Sequence, residues 1–142
     1  RFEDYLFASN SSNIVERQKI WKKELGSFSS YFDYYIMRKQ SHVDSIYQQE
    51  LLLFINHDDM REVYDTIHDL FSDLTILQEK LNSAFNNYLL HLPQNDLPKI
   101  VTMFSGFNYG VVLQDSILAI GLDFFLGKNI QLLKLQSLPQ TI

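Results

Sequence analysis

The pattern of the chain changes character at one place, and that change limits the fold more than any other feature. Up to Leu92 the apolar residues recur with helical spacing. After Pro93 and Pro98 they gather in short runs separated by Gly, Asn, Asp and Gln. Ile14, Trp21, Leu25 and Phe28 share one stripe, with Asn13 and Glu16 spaced as a capping box and Gly26 at the exit. Val43, Ile46, Tyr47, Leu51 and Phe54 form a second stripe, with Ser41 before it and its end near His57. Met60, Val63, Ile67, Leu70 and Phe71 form a third, starting at Asp59. Leu77, Leu81, Ala84, Phe85 and Tyr88 form a fourth, from about Asp73 to Leu92. Beyond the prolines, 100–104, 111–113 and 117–122 read as strands, with Gln114-Asp115 as a hairpin-length joint between the last two. Arg1–Phe7 alternates as a further short strand, and Ser30–Met37 reads as an extended or irregular plug. Helices first and strands later give an α+β domain: about four helices, then a small, largely antiparallel or mixed sheet. The periodicity predicts burial of Trp21, Met60, Val63, Ile67, Leu77, Leu81 and Phe85. The strand pattern predicts that Phe104, Val112, Leu118, Ile120 and Leu122 point inward.

Composition removes whole classes of function. The 142 residues fit a single domain and include no cysteine, so disulfides, thiolate nucleophiles and thiolate metal sites are absent. A net charge of −5 argues against a sequence-independent nucleic-acid binder and against an electrostatic grip on anionic lipid. No apolar run reaches the roughly 18 residues of a membrane span. The 11 Phe and 8 Tyr are a high aromatic load, of the kind that builds a core or a protein-contact surface. The opening Arg1-Phe2-Glu3-Asp4 carries neither an initiator Met nor a signal-peptide pattern, which predicts that the chain is part of a longer protein.

Residues able to do chemistry are present but not arranged for it. His42, His57, His68 and His91 form no i, i+4 pair and no H-E-x-x-H motif. Ser105-Gly106 follows a strand but lacks the nucleophile-elbow pattern G-x-S-x-G. Gly106, Gly110, Gly121 and Gly127 match no phosphate-binding spacing and suit turns and close strand approach. Asp115 and Asp123 lie eight residues apart, a weak candidate for paired acids. Asp123 is read as a structural carboxylate that caps the next segment of chain or bonds backbone amides at the Gly127-Lys128 turn. No catalytic, cofactor-binding or metal-binding residue is assigned.

Five elements occur together at suitable spacing: R-F-x-x-x-L-F at 1–7, P-x-x-D-x-P-K-I-V-T at 93–102, S-G-F-N-Y-G at 105–110, I-L-A-I-G-L-D-F-F-L-G-K at 117–128, and a late L-P-Q. In this combination the chain resembles the gliding-motility lipoprotein family GldB of Bacteroidota. The family signature falls on Ser105, Gly106, Phe107, Asn108, Tyr109, Gly121, Leu122, Asp123, Gly127 and Lys128, all expected to act structurally. The resemblance implies an exported lipoprotein of the cell envelope, at the outer membrane, with its lipid anchor upstream of Arg1 and further helices after Ile142. It implies envelope proteins as partners, in an outer-membrane assembly tied to gliding and its associated secretion. Contact with the membrane would come only through the anchor. The family is also distantly similar to zinc peptidases of the H-E-x-x-H type, with residues 99–126 matching their sheet and a metal helix falling beyond Ile142. The expected function is therefore a non-catalytic interaction module, with a zincin-like metallohydrolase as the alternative. Ser45, Thr66 and Ser116 each follow an Asp and precede Ile, as in the O-glycosylation acceptors of such envelope proteins.

Overall fold

A computed structural model describes residues 1–127. Six α-helices precede a three-stranded sheet: α1 (Phe2–Phe7), α2 (Ile14–Leu25), α3 (Ser27–Tyr31), α4 (Asp44–Asn56), α5 (Asp58–Leu70) and α6 (Thr75–His91), then β1 (Lys99–Met103), β2 (Val111–Gln114) and β3 (Ile117–Gly121). The α+β class follows from this order, and the sheet is mixed. β3 is central, parallel to β1 and antiparallel to β2. The middle position suits it: Ile117, Ala119 and Ile120 are all buried, so the strand carries apolar side chains to both faces.

Two segments differ from the reading of the sequence. Arg1–Phe7 is a helix, not a strand. Its buried residues are Phe2, Glu3, Leu6 and Phe7, a helical spacing that the apparent alternation of Phe2, Tyr5 and Phe7 conceals. Ser30–Met37 is also helical, because α3 runs into a π-helical turn at Phe32–Ile36 that closes with Met37 N–H donating to Phe32 O at 2.8 Å. The wider turn brings Phe32, Asp33 and Ile36 inward and leaves Tyr34 and Tyr35 exposed.

The caps also differ in detail. Asn13 precedes α2, but its side chain accepts from Asn10 N–H, so the capping box does not form. His57, not Asp59, caps α5, its Nδ1 accepting from Asp59 N–H at 3.3 Å. Asp73 does close the start of α6, accepting from Thr75 N–H at 2.8 Å.

The core is aromatic. Phe2 meets Trp21 and Phe32 edge to face, with centroids 5.6 and 4.8 Å apart. Phe7 stacks on Tyr64 at 4.4 Å and touches Phe104, which also meets Phe54. Phe104 thus ties the exit of β1 to α1 and α4. Trp21, Met60, Val63 and Ile67 are buried as expected. Phe104, Val112, Ile120 and Leu122 are buried too, while Leu118 is half-exposed. The fourth helix departs from expectation: α6 has no buried residue, and Leu77, Leu81 and Phe85 are only half-buried. Helical spacing reports an apolar face but carries no information about what covers it.

Candidate functional site

Signature residues Ser105, Phe107, Asn108, Tyr109 and Asp123 form one structure at the end of the sheet where β1 and β3 both leave. β1 delivers the chain through buried Phe104 to Ser105, and β3 delivers it through Gly121 and Leu122 to Asp123. The Asp123 carboxylate then takes three hydrogen bonds from the other segment. Ser105 N–H donates to Oδ1 at 2.9 Å, Ser105 Oγ–H to Oδ2 at 3.0 Å, and Phe107 N–H to Oδ2 at 2.6 Å. Ser105 Oγ in turn accepts from Tyr109 N–H at 3.2 Å, and Asn108 Nδ2 donates to Ser105 O at 3.3 Å. Gly106 and Phe107 both have left-handed backbone, φ +65° and +61°, which turns the amide of Phe107 toward the carboxylate. For Phe107 that conformation costs roughly 1–2 kcal/mol, and the short bond to Asp123 offsets it.

Gly121 is needed for a separate reason. A Cβ at this position would lie 2.1 Å from Tyr109 O. The backbones are that close because Gly121 N–H donates to Gly110 O at 2.9 Å. Leu122, next in the chain to Asp123 of this Ser105–Asp123 clasp, is buried, Gly127 has φ +60° just beyond it, and Lys128 lies outside the described residues. The expected bond of Asp123 to the Gly127-Lys128 turn falls partly outside the described residues. Asp123 holds backbone 16 to 18 residues earlier in the chain, a long-range contact that sequence spacing cannot give.

This arrangement builds backbone; it does not assemble a nucleophile. Ser105 and Asp123 are both fully buried, and the serine hydroxyl donates to a carboxylate with no imidazole in the relay. Burial pushes the Asp123 carboxyl above its ordinary range, while the amides of Phe107 and Ser105 and the serine hydroxyl pull it back. Asp115 does not face Asp123 as a paired acid, because it sits at the exposed β2–β3 turn with Ser27 Oγ donating to it. The turn is Asp115-Ser116, with Asp115 at φ +49°, one residue later than expected. Among the described residues no group of three His, Asp or Glu side chains could hold a metal. Of the possible acceptors, Ser45 and Ser116 are exposed, whereas Thr66 is half-buried and its hydroxyl donates to Glu62 O.

Two buried carboxylates carry no motif that sequence reasoning would single out. Glu3 is fully buried, accepting from Arg1 Nε at 2.8 Å and Thr102 Oγ1 at 3.0 Å. Asp33 accepts from Tyr47 Oη at 2.7 Å, and Lys39 lies over the Tyr47 ring at 4.7 Å. A weaker signal does mark them: each is an acid set inside an aromatic run. A cleft of about 200 Å³ between α1, α2 and β1 is lined by Phe2, Trp21 and Ile100 among others. The cations there are already engaged, Arg1 with Glu3 and Asp4, and Lys99 with Glu24.

Helices over a small mixed sheet, with the Asp123 carboxylate bonded to the Ser105–Phe107 segment, make this an α+β domain. The model of the family described as Gliding motility protein GldB matches residues 1–142, and the chain belongs to that family. No curated protein and no solved structure matches it, which leaves the likeness to zinc peptidases without support. Membership makes this a domain of a gliding-motility lipoprotein and associates it with the cell envelope. No helix among the described residues is long and apolar enough to cross a membrane.

Proposed function

We propose that the chain is a non-catalytic docking domain that holds envelope proteins together in an outer-membrane assembly serving gliding and its associated secretion. The observation that carries this reading is the placement of large apolar side chains outside the core. Leu90 is 78% exposed and Ile76 68% exposed on α6, a helix of which no residue is buried. Large apolar side chains left this exposed at both ends of one helix offer points of contact for a partner. The clasp supports the same reading from the other side, since it uses its polar groups internally and presents none to a substrate. Its role is to hold the sheet rigid while the surface docks.

The test is capture from detergent-solubilised envelope with the tagged full-length lipoprotein, compared with an Ile76→Asp/Leu90→Asp variant. The expected outcome is a stoichiometric envelope partner for the parent and its loss in a variant that still folds. Recovery of no partner by the parent would count against the proposal.

A further inference from the structure

Away from the clasp, a second set of buried polar groups lies where the π-helical turn meets α4. Asp33 and Tyr47 are both buried, joined by the 2.7 Å hydrogen bond from Tyr47 Oη–H. Lys39 closes the cluster from the loop between the two elements, which starts at Arg38 with left-handed backbone, φ +53°. The Lys39 N–H donates to Asp33 O at 2.8 Å, and its side chain is only 7% exposed. Its ammonium lies 4.7 Å from the centre of the Tyr47 ring and 6.0 Å from that of Tyr34. Yet this buried cation is spent on the wrong acid. Lys39 Nζ bonds Asp44, a carboxylate 60% exposed, at 2.9 Å, and makes no bond to the buried Asp33 carboxyl. An ion pair that exposed contributes little, whereas a buried carboxyl needs a cation before it can carry charge.

We infer that Lys39 is a pH-driven latch with two seats: Asp44 while Asp33 holds its proton, and Asp33 once that proton has passed to solvent. The flexible four-carbon stem of lysine gives the ammonium its reach. Asp44 tolerates the loss, because it stands in the first turn of α4, where a carboxylate is favoured, and Lys22 still acts on it. Burial raises the Asp33 carboxyl, so its proton leaves at a higher pH than that of an exposed acid. The other charged groups acting on the cluster are few. Lys22 of α2 favours the Asp33 anion, Asp44 opposes it, and Glu50 of α4 acts on Tyr47. Lys22 is exposed, which leaves Lys39 as the cation inside the cluster. The Tyr47 hydroxyl is pushed far up by burial and by Asp33, so it remains a donor in both states. The exchange carries the loop before α4 with it. This goes beyond the docking role proposed above and does not depend on it.

An NMR titration of the 142-residue chain from about pH 3 to about pH 9 is the test, following the Asp33 carboxyl carbon and the Lys39 side-chain amine. In the parent both signals should move together, with one shared midpoint. Asp33→Asn should abolish the Lys39 step and leave the ammonium on Asp44. Lys39→Met keeps an unbranched apolar stem without the charge, and should raise the Asp33 midpoint by about one pH unit or more. Asp44→Asn vacates the first seat and should lower that midpoint. Fluorescence of the buried Trp21 checks that each variant folds. A Lys39 signal that stays flat across the range overturns the inference, as does a Lys39 step that persists in folded Asp33→Asn. So does an Asp33 midpoint that Lys39→Met leaves unchanged.

Discussion

Residues 99–127 and helix α6 are both rich in apolar side chains, yet they end in opposite states. The first region closes on itself through three hydrogen bonds to one buried carboxylate. The second, 17 residues long, buries nothing completely. The difference lies in what each sequence pattern encodes. A helical stripe specifies a face and leaves its cover open. A cluster of Gly, Ser and Asp at irregular spacing specifies backbone shape, and such a cluster completes itself once the chain folds. Rigidity should therefore concentrate in the clasp, and sensitivity to partners in α6.

The sharpest way to break that contrast is at Gly121. A valine side chain would have to occupy space 2.1 Å from Tyr109 O, and backbone cannot swing aside as a side chain can. Gly121→Val should cost more than about 4 kcal/mol, in the range where a small domain ceases to fold. Urea denaturation followed by Trp21 fluorescence reads it. A variant with parental stability would mean that the clasp is loose.

A matched pair of truncations tests the helical side. Ile67 is fully buried on α5, so Ile67→Ala should cost about 2–5 kcal/mol. Leu81 is only half-buried on α6, so Leu81→Ala should cost about 1 kcal/mol. Equal costs measured in urea would show that α6 is packed as tightly as α5. Between these values falls Asp123→Asn, which keeps one acceptor and turns an amide NH2 toward backbone donors. Its expected cost is about 2–4 kcal/mol, with the protein still able to fold.

How much of the fold can be read in the sequence depends on the same distinction. The helices α2, α4, α5 and α6 and all three strands follow from periodicity and from the prolines before β1. Helix α1 is not legible, because seven residues hold too few turns to separate a period of 2 from a period of 3.6. The π-helical turn is hidden because one extra residue in a helix leaves an aromatic run looking unpatterned. Residues of the clasp are recognisable as structural, but their partners are not, since Asp123 and Ser105 are 18 residues apart and meet only when β3 inserts beside β1. The stripe of α6 suggests more burial than the helix has because it resembles that of α5, although only α5 has a core to face.

The smallest expected effect concerns the other buried acid in an aromatic run. Burial raises the carboxyl of Asp33 above its ordinary range; the Tyr47 hydroxyl, Lys22 and Lys39 oppose the shift, and Asp44 adds to it. A carboxyl whose folded pKa is raised binds its proton more tightly in the folded state than in the unfolded chain. Stability from this group is therefore full below the unfolded value of 3.8 and is lost as pH rises through the folded value. Asn at position 33 cannot ionise and keeps an oxygen for the Tyr47 hydroxyl, which lies at 2.7 Å from Asp33. Asp33→Asn should match the parent near pH 3, then become the more stable protein as pH rises, by up to about 1 kcal/mol near neutrality. Urea midpoints taken from pH 3 to 7 give the comparison. If the parent instead gains on the variant as pH rises, Asp33 is held as an anion by Lys22 and Lys39. The π-helical turn would then be fixed by charge, not by a neutral hydrogen bond to Tyr47.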